Sequence, residues 1–136
     1  MAYRLIALDG VLPSHVQNLA AAGIKDTTDL LKNCGAITGR EHICEVSGIP
    51  LALLTRWARR AELMRIAGVG NEYAQLLEES GIETLAELGR RDPAMLRRKL
   101  VSENEHRRIV KSVPYAPALT RWVAEAKRLK PAFELH

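Results

Sequence analysis

The sequence is poor in aromatic residues and cysteine, and it contains no long apolar run. Aromatic residues make up 4% of the 136 residues, so aliphatic side chains must fill any core. Two cysteines, Cys34 and Cys44, are too few for a disulfide framework, which indicates a cytoplasmic protein with free thiols. No stretch approaches the roughly 20 apolar residues that cross a bilayer, and Asp9-Gly10 interrupts the first apolar stretch before a signal-peptide core could form.

The composition that remains is that of a folded globular protein with an uneven distribution of charge. Apolar residues make up 47% and charged residues 26% of the chain, and the net charge is +4. Residues 93–130 hold ten of the twenty basic residues and three of the sixteen acidic ones, a local charge of +7, which leaves −3 for the rest. This asymmetry indicates a polyanionic partner, and a solvated basic face is an equally good explanation of it.

Internal similarity divides the chain into two halves, residues 1–62 and 63–130, followed by a tail of residues 131–136. Three short segments recur, the first two at a shift of 58 residues and the third at a shift of 65: Gly10-Val11 as Gly68-Val69, Gly23-Ile24 as Gly81-Ile82, and Thr55-Arg56-Trp57 as Thr120-Arg121-Trp122. The second half therefore carries about seven extra residues, which we place near residues 101–106. A repeat of this kind predicts two tandem units of similar build.

Each half contains two copies of a shorter pattern, whose four origins are Gly10, Gly48, Gly68 and Val113. The residues six and nine positions after each origin are apolar, and the residue thirteen positions after it is small. These positions share one face of an α-helix, so an amphipathic helix is expected after each origin. Trp57 and Trp122 occupy the ninth position in two of the copies, which favours core packing over base stacking.

Signals for helix ends agree with an all-α fold, and no segment alternates apolar and polar residues as a strand does. Thr38 and Thr84 are followed three residues later by glutamate, as in a capping box. Asp92-Pro93 predicts a helix that runs to about Leu100, and Gly23 and Gly81 stand where helices end. Nothing breaks the helical pattern between residues 51 and 66, which predicts one continuous helix shared by the two halves.

The segment Gly68-Val69-Gly70 is the clearest binding motif. Its glycines allow a tight turn between two helices, and Val69 is expected to pack inward. The turn would leave backbone N–H groups unpaired at the start of the next helix, beside the positive end of the helix dipole. This arrangement favours an anion such as a nucleic acid phosphate, bound without reading the base sequence. The alternative is that the glycines only form the turn.

The stretch from Leu63 to Leu77 resembles the helix-hairpin-helix motif of DNA repair and replication proteins. Over nearly its whole length the chain is similar to a bacterial family of tandem helix-hairpin-helix proteins known as domain of unknown function 4332. The segments that carry this similarity are Leu54-Thr55-Arg56-Trp57-Ala58, Leu63-Met64-Arg65-Ile66, Gly68-Val69-Gly70 and Gly81-Ile82-Glu83-Thr84. The resemblance implies two helix-hairpin-helix pair units (SAM-like small helical domains), and nucleic acid binding only by analogy.

Several residues depart from the DNA-binding pattern. Binding hairpins often have lysine or arginine directly after the second glycine, whereas this chain has Asn71 and Glu72. Pro50 and Pro114 remove N–H donors from two other hairpins, and the first hairpin lacks a second glycine. Only the third hairpin, the turn Gly68-Val69-Gly70 with its flanking helices, keeps the full glycine pattern. The alternative function is therefore a module that binds a protein partner and has lost DNA affinity.

We therefore expect a non-catalytic protein that binds nucleic acid, most simply duplex DNA, through backbone phosphates. The sequence indicates no cofactor and no small-molecule substrate, and Cys34, His42 and Cys44 lack the paired short spacing of a metal site. The predicted nucleic-acid-binding residues are the third hairpin with its neighbours and the basic residues that follow: Arg65, Gly68, Val69, Gly70, Asn71, Arg97, Arg98, Lys99, Arg107, Arg108 and Lys111.

Overall fold

A computed structural model describes residues 2–135, which form helices joined by short connections. A short 3-10 helix, Leu5–Ala7, precedes eight α-helices. No β-strand forms within the described residues, where the sole extended pairing is an isolated bridge between Arg4 and Asp26. The predicted all-α class is therefore confirmed. In chain order the helices are Pro13–Ala21 (α1), Thr27–Cys34 (α2), Ile37–Ser47 (α3), Leu51–Leu63 (α4), Asn71–Glu79 (α5), Leu85–Gly89 (α6), Pro93–Arg107 (α7) and Ala116–Arg128 (α8).

Most of the predicted helix ends are confirmed. The Thr84 hydroxyl accepts a hydrogen bond from the Glu87 N–H, and the Asp92 carboxylate accepts one from the Met95 N–H. Gly23 and Gly81 follow α1 and α5 with φ of +86° and +88°, a left-handed conformation that glycine adopts without strain. Helix α7 extends to Arg107, seven residues beyond the predicted end.

The capping box predicted at Thr38 is wrong. Helix α3 begins at Ile37, and its N-cap residue is Ala36, whose side chain accepts no hydrogen bond. A carboxylate oxygen of Glu134, distant in sequence, accepts the hydrogen bond from the Ile37 N–H at 2.8 Å. A tertiary contact therefore supplies the acceptor that a local side chain was expected to provide.

The shared helix over residues 51–66 is also wrong. Helix α4 ends at Leu63, and tight turns follow, in which Arg65 N–H donates to the Glu62 carbonyl and Ile66 N–H to the Leu63 carbonyl. The Ala67 N–H donates to a carboxylate oxygen of Glu125 at 2.9 Å, and Gly68 then takes a φ of +89°. The helix therefore gives way to turns before residue 66, and a carboxylate from α8 takes the hydrogen bond of the Ala67 N–H.

The core is one continuous cluster of aliphatic side chains that runs through both halves. Equivalent helices make equivalent contacts: α2 packs on α4 as α6 packs on α8, and α3 packs on α4 as α7 packs on α8. Helix α4 also packs on α5, which joins the halves. Because the core is continuous, we expect the two halves to unfold together.

Each tryptophan packs against the first glycine turn of its own half, as predicted for core residues. A β-carbon placed on Gly10 would lie 3.8 Å from Trp57 Nε1, and one placed on Gly68 would lie 3.5 Å from Trp122 Nε1. The ring partners are also equivalent, 58 positions apart: His15 lies 5.0 Å from the Trp57 ring, and Tyr73 lies 5.5 Å from the Trp122 ring, between centroids. In each half, therefore, the tryptophan of the last helix packs against the glycine turn that precedes the first α-helix.

The C-terminal segment, residues 130–135, is anchored to the first half. A carboxylate oxygen of the buried Glu62 accepts hydrogen bonds from the N–H groups of Ala132 and Phe133 at 2.7 and 3.0 Å. The guanidinium of the buried Arg40 lies 4.8 Å from the centre of the Phe133 ring and donates to the Glu134 carbonyl at 2.7 Å. A β-carbon on Gly35 would collide with the Ala132 carbonyl, so glycine is required where the segment crosses.

Candidate nucleic-acid interface

The third hairpin has the geometry that its sequence predicts. Gly68 makes the left-handed turn, Val69 is fully buried, and α5 begins at Asn71 directly after Gly70. Gly70 provides no side-chain cap for the first N–H groups of α5. The positive end of this helix is therefore open to an acceptor from elsewhere.

The groups around that hairpin are mostly neutral or acidic. The Tyr3 hydroxyl donates to the Val69 carbonyl at 3.2 Å. The Asn71 side-chain oxygen accepts from the Asp9 N–H and from Arg60 Nη1, both at 3.1 Å. Glu125 binds the hairpin backbone, as described above, and Glu72 is exposed in the first turn of α5. The hairpin thus serves as a joint between the two halves, and its carboxylates would repel a phosphate.

Two arginines near this joint are engaged inside the protein. Arg60 is buried and forms a two-pronged ion pair with Glu78, at 3.2 Å for Nε and 2.9 Å for Nη2. Arg65, one of the predicted binding residues, pairs with Glu62 at 2.6 Å and donates to the Lys130 carbonyl at 2.8 Å. Arg65 therefore faces the C-terminal segment.

The second part of the predicted site forms a groove of about 680 Å³ between α7 and residues 108–115. We name this the α7 groove. Three of the predicted basic residues line it, Arg97, Arg108 and Lys111, together with the exposed ring of Tyr115. Glu105 is its acidic member. Cationic side chains and an open aromatic ring in one concave surface are typical of sites that bind nucleic acid.

Local hydrogen bonds fix the shape of the α7 groove. The Asn104 side chain donates to the Val110 carbonyl at 2.9 Å and accepts from the Val110 N–H at 3.0 Å, which holds the chain after α7. Arg108 ends α7 with a φ of +50°, a left-handed conformation that is rare outside glycine. The Tyr73 hydroxyl donates to the Ser112 carbonyl at 3.3 Å, so the groove is attached to the helix that follows the third hairpin.

The remaining predicted residues lie on α7 outside the groove lining. Arg98 is exposed. Lys99 and Arg107 each lie 3.3 Å from a carboxylate oxygen of Glu103, and Arg107 also lies 3.1 Å from Glu79. Hydrogen bonds from Arg107, and next from Lys99, lower the pKa of Glu103 below its ordinary value. These two cations are partly neutralised within the protein.

A family model described as Domain of unknown function (DUF4332) matches residues 9–129. The chain belongs to this family. The matched residues include the turns at Gly10 and Gly68 and the whole α7 groove. No curated protein and no solved structure matches the chain. The family description names no activity, so a function for this DUF4332 chain has to be argued from its own surface.

A second basic surface of the DUF4332 chain was missed by the sequence reasoning. Arg90, Arg91 and Lys127 line a groove of about 880 Å³ between the start of α7 and α8, with Asp92 as its acidic member. The individual residues are ordinary surface cations in the sequence. Only the packing of α6 on α8 brings residue 127 beside residues 90 and 91.

The cysteines of the DUF4332 chain differ in exposure. Burial raises the pKa of Cys34 to about 11, against the opposing effect of Arg40, so this thiol stays protonated and unreactive at neutral pH. Cys44 is partly exposed. Within residues 2–135, no three His, Cys, Asp or Glu side chains come together in a way that could hold a metal ion, and no helix is long and apolar enough to cross a bilayer.

Proposed function

We propose that this DUF4332 chain is a non-catalytic protein that binds nucleic acid without reading its base sequence, through phosphate contacts in the α7 groove. The observation that carries this proposal is the convergence of Arg97, Arg108 and Lys111 on one groove. Within residues 2–135 neither Arg108 nor Lys111 forms an ion pair. Duplex DNA is the partner suggested by the resemblance to helix-hairpin-helix proteins.

The architecture is compatible with that proposal. We propose that the halves are two tandem helix-hairpin-helix pair units, supported by the positive φ of Gly10, Gly48 and Gly68 at three of the four origins. The origin at Val113 lacks a glycine, and the longer connection of the α7 groove replaces a tight turn there. In this proposal the third hairpin contributes mainly to architecture, and the binding surface lies beside it.

Binding through the groove should depend strongly on salt. Phosphate contacts release counterions, and neutralising about three phosphates lowers the affinity about 40-fold when the salt concentration rises about fourfold. Contacts of this kind do not distinguish one base sequence from another. We therefore expect duplexes of unrelated sequence to bind with similar affinity.

The test is a fluorescence anisotropy titration of a labelled duplex against the full chain and two double variants. Arg108→Gln with Lys111→Gln should weaken binding at least tenfold at low salt, and should reduce the salt slope by about two. Lys25→Gln with Lys32→Gln removes the same charge from exposed positions in the first half, and should change the affinity less than threefold. Equal losses in both variants, or no binding at low salt, would overturn the proposal.

A protein-interaction module remains the second candidate, because the first half exposes several large apolar side chains. Ile6, Leu12, Val46 and Leu51 are 42–58% exposed. Leu51 and Leu53 line a shallow groove of about 530 Å³ along α4. Should low salt yield no nucleic acid complex, this surface becomes the one to assay for a protein partner.

A further inference from the structure

Tyr115 is the most exposed large apolar or aromatic side chain of the described residues. Its exposed fraction is 77%, compared with 65% for Met95 and less for the others. The residue is the N-cap of α8 and lies between Pro114 and Pro117 in the chain, with φ of −75° and ψ of 165°. The proline rings restrict the backbone on both sides, so the ring extends from a well-fixed position.

One face of the Tyr115 ring is covered by a cation. The Arg97 guanidinium carbon lies 5.0 Å from the ring centre, and Arg97 Nε donates to the Pro114 carbonyl at 3.1 Å. Arg97 therefore holds the ring and its backbone together. Because 77% of the side chain is exposed, most of the ring surface that Arg97 leaves uncovered is accessible, and the ring belongs to the lining of the groove together with Arg108 and Lys111.

We propose that Tyr115 stacks against an unpaired base, so that the α7 groove takes a single-stranded segment in preference to a continuous duplex. This inference rests on the proposed function. In a continuous duplex both faces of a base are covered by its neighbours, and only an unpaired base offers a free face to the ring. Arg108 and Lys111 neutralise the phosphates of the same strand, and stacking tolerates any base, in keeping with sequence-independent binding.

The experiment measures affinity for three labelled probes: an oligothymidylate of about 12 nucleotides, the same strand with its central bases removed, and a duplex of equal length. Tyr115→Ala should weaken binding of the oligothymidylate on the order of tenfold. It should leave the abasic strand and the duplex within twofold of wild type, because their contacts are to phosphate. Tyr115→Phe should bind the oligothymidylate as wild type does.

Met95→Ala is the matched control. Met95 is nearly as exposed and lies on α7, but it is not part of the groove lining. Its variant should bind all three probes as wild type does. Far-ultraviolet circular dichroism verifies that each variant remains helical.

The outcomes separate this inference from the proposed function. If Tyr115→Ala leaves the oligothymidylate affinity unchanged, or weakens all three probes equally while binding persists, base stacking is overturned and phosphate binding stands. If the wild-type protein prefers the duplex, the single-strand preference is overturned. If no probe binds at low salt, the proposed function fails and this inference fails with it.

Discussion

The two halves share their packing and differ in one connection. In the first half, α3 ends at Ser47, Gly48 takes a φ of +76°, and α4 begins at Leu51. In the second half, α7 is four residues longer than α3, Arg108 takes the left-handed position, and α8 begins only at Ala116. The added residues form the α7 groove without altering the core beneath it. A surface connection can therefore gain a groove while the repeated scaffold stays the same.

A second difference concerns pairs of positions that lie 65 residues apart and are equivalent in the repeat. Glu62 is buried and binds the C-terminal segment, whereas its equivalent, Lys127, is exposed beside the second basic groove. Arg60 is buried against Glu78, whereas its equivalent, Glu125, binds the backbone of the third hairpin. The first half uses these positions to hold neighbouring segments, and the second half leaves one of them on the surface.

The largest expected loss of stability comes from removing either tryptophan. Comparing the two variants tests whether the two tryptophan contacts are equivalent. Trp57→Ala and Trp122→Ala should each lower the free energy of unfolding by about 3–5 kcal/mol, because each leaves a large cavity in the core. Trp57→Ala should cost more, since Trp57 Nε1 also donates to the Asp9 carbonyl at 3.3 Å. Urea unfolding followed by circular dichroism measures both. Two separate transitions in either variant would contradict a continuous core.

An intermediate loss of stability is expected at Glu62, which is buried, whereas its equivalent in the second half, Lys127, is exposed. Glu62→Ala leaves the N–H groups of Ala132 and Phe133 without their acceptor and removes one of the partners of Arg65, at a cost of about 2–3 kcal/mol. Lys127→Ala, its equivalent, should stay within about 0.5 kcal/mol of wild type. Urea unfolding gives both values. A loss in Lys127→Ala as large as that in Glu62→Ala would mean that burial does not distinguish the two positions.

The smallest effect concerns the residue that ends α7. Arg108→Gly relieves a left-handed conformation that disfavours side chains and should raise the free energy of unfolding by about 0.5–1 kcal/mol. The lost charge should weaken the proposed nucleic acid binding. Arg108→Lys keeps both the conformation and the charge and serves as the control. Thermal unfolding and the anisotropy titration provide the two readouts. A glycine variant no more stable than the lysine variant would show that Arg108 is unstrained.

Much of the helical fold could be predicted from the sequence, but only part of the candidate site. The cations of the α7 groove lie in the basic segment that the charge count identified, but Tyr115 was not predicted, because its exposure depends on how α7 and α8 pack. The pairing of Glu103 with Lys99 and Arg107 could have been predicted, since each lies four residues away on one helix. The contact between Arg65 and the Lys130 carbonyl could not have been predicted, because the two residues lie 65 positions apart.

The sequence by itself determined the features that depend on neighbouring residues. Thr84 and Asp92 start helices because their own side chains reach the next backbone N–H groups, and Gly23 and Gly81 end helices because glycine tolerates the required backbone angle. The tertiary structure decided the rest. Glu125 accepts the hydrogen bond from the Ala67 N–H after α4, Asn71 ties the third hairpin to the first half, and Tyr73 attaches the α7 groove to α5. These features come from long-range contacts, which local sequence patterns do not specify.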